Sequence, residues 1–120
     1  MIRQRLSDKQ MMRELELGRE HLLSAPALQR LLSFLRRRLQ SITRNVYILS
    51  WTPEQAEDLY DILVDGTTVV HIEIPRDVSS SEGNIVFEKR DVREYLSSQR
   101  RLTKPYRRKL ELALQLAQQA

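Results

Sequence analysis

The sequence predicts an α+β fold with an α/β-like core, its elements in the order ααβαββαα, and three features carry that expectation. Leucines recur at helical spacing through residues 28–39. Short runs rich in β-branched and aromatic residues stand at 46–49, 68–74 and 85–87. Capping boxes open at Ser7, Thr52 and Asp91, each marking a helix start.

Taken in order, Ser7-Asp8-Lys9-Gln10 starts the first helix, whose apolar stripe is Met11, Met12, Leu15, Leu22 and Leu23, with Gly18 weakening its middle. Ser24-Ala25-Pro26 breaks it, and Pro26 is suited to the first position of a second helix. Leu28, Leu31, Leu32, Leu35, Leu39 and Ile42 then lie on one continuous face. The short connection makes the pair an antiparallel hairpin.

Val46-Tyr47-Ile48-Leu49 reads as a strand covered on both faces. Thr52-Pro53-Glu54-Gln55 caps a third helix carrying Ala56, Leu59, Tyr60 and Leu63, which Asp65-Gly66 ends with glycine at the left-handed position. From Thr67 to Ile74 the pattern alternates, with Thr68, Val70, Ile72 and Ile74 on one face and Val69, His71 and Glu73 on the other. A polar connection, RDVSSSEG, leads to a third strand at 84–89. Asp91-Val92-Arg93-Glu94 starts a helix running to about Arg101, Thr103-Lys104-Pro105 interrupts it, and Tyr106, Leu110, Ala113, Leu114 and Ala117 line the last helix. The expected architecture is a three-stranded mixed sheet with one right-handed parallel crossover, packed with helices.

With 120 residues the chain fits one domain with a single core: a helical hairpin at 1–44, a β-α-β-β core at 45–89 and C-terminal helices at 90–120. Cysteine is absent, which removes disulfides, thiolate zinc sites and cysteine nucleophiles. No apolar run approaches the roughly 20 residues that span a bilayer. The first residues, MIRQRLSDKQ, have no apolar leader segment, and a cytoplasmic location is the expectation.

Charge is segregated. Residues 1–44 hold ten Lys/Arg against four acids, 45–88 one arginine against nine acids, and 89–120 nine Lys/Arg against three acids. In the helical reading of 52–65, Glu54, Glu57, Asp58, Asp61 and Asp65 share one side and form an acidic surface for a basic partner or a second copy of the chain. Like charges at i, i+4 oppose that helix unless cations lie beside it. Arg36-Arg37-Arg38 points in three directions, whereas Arg100, Arg101, Lys104, Arg107, Arg108 and Lys109 form a denser cluster able to contact nucleic-acid phosphates.

The acidity of the would-be groove-reading helix argues against a winged helix–turn–helix. The string DILVDGTTVVHIEIPR resembles the short motif of the PD-(D/E)XK nucleases, with Asp61 or Asp65 ahead of a strand carrying Glu73. Pro75 stands where that motif has its lysine, so the resemblance implies at most a degenerate core. His71 and Glu73 share a strand face and form a candidate acid–base pair. No glycine-rich phosphate loop, nucleophile elbow, metal-ligand set or cofactor motif is present.

The reading is therefore a small protein-interaction or regulatory module, self-associating or binding another protein, with no cofactor and no evident small-molecule substrate. Phosphate contact through the C-terminal cations is the alternative, and a hydrolase using His71 and Glu73 a distant third.

Overall fold

The computed structural model describes residues 7–39, 44–77, 79, 82–98 and 103–119. Helix α1 (Asp8–Ser24) begins with the expected capping box, Ser7 Oγ accepting from the Gln10 N–H and Gln10 Oε1 from the Ser7 N–H. A 3₁₀ turn, Pro26–Leu28, feeds α2 (Gln29–Arg38), which buries Leu31, Leu32, Phe34 and Leu35. The second helix is shorter than its leucine pattern suggests: Leu39 is already extended, and Ile42 lies outside the described residues.

Four strands follow, β1 (Val46–Pro53), β2 (Glu57–Val64), β3 (Thr68–Pro75) and β4 (Val86–Asp91), then α3 (Val92–Ser98) and α4 (Lys104–Gln119). The sheet order is β1-β2-β3-β4 and every pair is antiparallel, so it is a meander with no parallel crossover. The expected helix over 52–65 is absent. Thr52 and Pro53 end β1, Glu54–Ala56 turn the chain, and the rest is the strand β2 between two partners.

Local chemistry accounts for that correction. Arg76, just past β3, donates to Asp58 and to the Gln55 and Glu57 carbonyls, and its own N–H reaches Ala56 O, so the β1–β2 turn is held from outside. At the other end Asp65 (φ 55°) and Gly66 (φ 69°) supply the two left-handed residues of a tight hairpin, Thr67 N–H donating to Val64 O. The Asp-Gly pair is a hairpin turn and not a helix terminus.

Alternation along the strands builds two apolar layers where a single core was expected. On the front face, Val46, Tyr60, Ile62, Val64, Val70, Ile72 and Ile74 pack with α2 and Leu22. Arg38 closes this layer's margin, its guanidinium 5.2 Å from the Phe34 ring centre and 5.9 Å from that of Phe87. On the back face, Tyr47, Leu49, Leu63 and Val69 pack with Leu15, Tyr95 of α3 and Leu110, Leu112, Ala113 and Ala117 of α4. Helix α1 belongs to both layers: Leu15 and Leu22, two turns apart, enter opposite sides of the sheet at the β1 edge. Arg19, between them, donates to the Tyr47 hydroxyl at 3.0 Å.

The two sheet edges differ. Strand β4 exposes Glu88, Lys89, Arg90 and Asp91, a charged border of the kind that discourages further strand pairing. The outer half of β1, beyond a register shift between Ile48 and Ser50, reads Ser-Trp-Thr-Pro and carries no charge.

Gly66 is required twice over. A side chain there would meet a positive φ, and its Cβ would sit 3.1 Å from Ala117 Cβ on α4. Gly66→Ala is expected to destabilise the protein by about 1–3 kcal/mol, read as a lower urea midpoint at unchanged slope.

Candidate functional site

The register lines up a polar row across the back face: Ser50 opposes Asp61, Asp61 opposes His71, and His71 opposes Glu88. Helices α3 and α4 cover the sheet up to this row and leave it partly open. Ser50 Oγ donates to Asp61 Oδ2 at 3.0 Å. The His71 ring lies between two carboxylates, Nδ1 2.8 Å from Asp61 Oδ1 and Nε2 2.8 Å from Glu73 Oε2. Beside them the Tyr95 and Tyr106 hydroxyls meet at 2.9 Å, and a cavity of about 210 Å³ is lined by Asp61, Val69, His71, Glu88, Arg90 and Tyr95.

Burial works against a charged ring at His71, but the hydrogen bonds with Glu73 and Asp61, and then their charges, outweigh it and raise the pKa above the ordinary value. Burial, the Tyr95 hydroxyl and the Asp61 charge push the Tyr106 phenol far upward, so it stays neutral. This arrangement favours the protonated ring and ties β2 to β3. When protonated, the ring donates from both nitrogens and has no lone pair for a substrate proton. Ser50 bonds to Asp61 and not to the ring, so among the described residues the row assembles no nucleophile–base pair. Among those residues no three His or carboxylate side chains converge as metal ligands.

The acidic stripe does not exist as expected. Glu54 lies in the β1–β2 turn and Asp65 in the β2–β3 turn, while Glu57 and Asp61 point to the face opposite Asp58. Two of the five have basic partners: Asp58 meets Arg76 and Asp61 meets His71. Of the C-terminal cations, the four that are described, Lys104, Arg107, Arg108 and Lys109, all lie on α4. Arg100 and Arg101 lie outside the described residues, Arg108 pairs with Asp8 of α1 and with Glu111, and Lys109 turns toward a groove. Lys104 and Arg107 remain exposed on α4.

That groove, about 570 Å³, was not expected from the sequence. It runs between α1 and the outer half of β1, with Ala27, Leu28, Ile48 and Tyr60 as apolar lining, and Glu14, His21, Asp58 and Lys109 as its charged and titratable groups. Trp51, the chain's single tryptophan, stands at it 59% exposed, its indole N–H donating to Asp58 Oδ1 at 3.2 Å. On α1, Glu14, Leu17, Gly18 and His21 fall at i, i+3, i+4 and i+7, and Leu17 is 60% exposed. The signal in the sequence was a lone Trp on a strand end.

The raised His71 pKa fixes the sign of one pH effect. The native state holds a proton that the unfolded chain releases near pH 6.5, so this contribution is complete below about pH 6.5 and is lost as pH rises through the folded value. The His71 ring proton signals are expected to titrate above 6.5, and Asp61→Asn to lower that midpoint. Urea unfolding is expected to show stability falling with rising pH through this window, with the slope reduced in His71→Gln.

Comparison with protein-family models, with curated proteins and with solved structures finds no match to this chain.

Proposed function

We propose that the protein is an interaction module that seats a protein partner in the groove between α1 and the outer half of β1. The observation that carries this reading is Trp51, a large apolar ring left mostly in water over a groove with apolar lining. Tryptophan is enriched among the residues that anchor protein interfaces, and it carries a wide contact area with few rotatable bonds.

Gly18 supports the same surface. A Cβ there would meet nothing within 4 Å, so packing inside the chain does not require glycine, which costs a helix interior about 1 kcal/mol relative to alanine. The space it leaves opens into the groove. The groove thus replaces the acidic helix as the contact surface of an interaction module. Phosphate contact has less support, since of the six expected cations only Lys104 and Arg107 stand exposed and unpaired among the described residues.

Selection of peptides from a random display library on the immobilised protein, followed by titration of Trp51 emission, tests the reading. Bound peptides are expected to shift the emission and to lose at least about tenfold in affinity with Trp51→Ala or Gly18→Leu. Gly18→Ala, by contrast, is expected to raise stability by about 0.5–1 kcal/mol. Peptides whose binding ignores both Trp51→Ala and Gly18→Leu would locate the contact surface elsewhere.

A further inference from the structure

We propose that the groove is occupied by a second copy of this chain, related to the first by a two-fold axis passing near Trp51. The inference rests on the groove reading above and adds the identity of the partner.

A two-fold contact uses one patch twice, so that patch must complement itself in shape and in charge. This one carries both halves of each requirement. The projections are the exposed Trp51 and Leu17 side chains, and the recess is the groove over Leu28, Ile48 and Tyr60. Its charged lining has both signs, Glu14 and Asp58 against Lys109. Asp58 is already matched by Arg76, but Glu14 and Lys109 make no ion pair among the described residues, although both line the same groove.

A partner of strongly acidic or basic character would repel one of these two groups. A copy of the same surface, turned by the two-fold, offers a carboxylate for the ammonium and an ammonium for the carboxylate. The sheet edges point the same way. Strand β4 is fenced with four consecutive charged residues, whereas Ser50–Pro53 at the β1 edge has none. A register shift and Pro53 blunt this edge against strand pairing, but no charge opposes a side-chain contact at Trp51.

Light scattering after size exclusion, and sedimentation equilibrium, on the full chain decide the matter. Wild type is expected to move from one chain mass toward two between about 1 and 100 µM, with Trp51 emission shifting to shorter wavelength over the same range. Trp51→Ala is expected to stay monomeric with unchanged far-ultraviolet circular dichroism. Glu14→Lys and Lys109→Glu are each expected to weaken association at least about fivefold, and an equimolar mixture of the two to recover it as a heterodimer.

A wild type of single chain mass at every concentration overturns the second-copy inference. If library peptides still bind at Trp51 in that case, the groove reading survives alone; if none binds, both fail. A dimer that ignores Trp51→Ala and both charge reversals also overturns the inference, because it uses another face.

Discussion

The structure depends on strand β2 being paired on both sides. Its antiparallel partners β1 and β3 meet it over nearly its whole length, from Glu57 to Val64. That pairing satisfies the backbone of the most acidic stretch of the chain without a helix. It also sends successive side chains to opposite faces, so that Tyr60, Ile62 and Val64 enter one apolar layer and Leu63 the other. The repulsion that a helix would have stacked along one side is relieved in the same step, with Asp58 and Asp61 turned apart and each given its own partner, Arg76 and His71.

Much of the remaining fold could be read locally. The α1 cap, the leucine face of α2 and the alternation of 68–74 are signals whose meaning does not depend on distant residues. Residues 52–65 are different because they support two periods at once. Ala56, Leu59, Tyr60 and Leu63 suit a helix, while Tyr60, Ile62 and Val64 suit a strand. Thr52-Pro53-Glu54-Gln55 and Asp65-Gly66 are likewise ambiguous, each fitting a helix end or a hairpin turn. Contacts beyond the window decide it: Arg76 on the turn, and Ala117 against Gly66. The charge pattern already weighed against the helix.

The polar row was half legible for the same reason. His71 and Glu73 are two apart on a recognisable strand, so their shared face was predictable. Asp61, Ser50 and Glu88 join them only through cross-strand register, which no local pattern encodes. The groove was less legible still, since Gly18, Leu28, Trp51 and Lys109 are brought together by four separate elements, α1, the 3₁₀ turn, β1 and α4. The row and the groove lie on either side of β1–β2, and Ser50 belongs to both, lining the groove and bonding to Asp61.

Helix α1 gives this layout a mechanical meaning. The residues it turns to the groove, 14, 18 and 21, interleave with those it sinks into the protein, 15 and 22, which reach apolar layers on opposite sides of the sheet. The helix cannot detach from one layer without withdrawing its leucine from the other, so the two halves of the molecule share a common fastening. Whatever seats itself along that helix therefore clamps both layers together, and its binding free energy adds to the cohesion of the whole chain rather than to one surface.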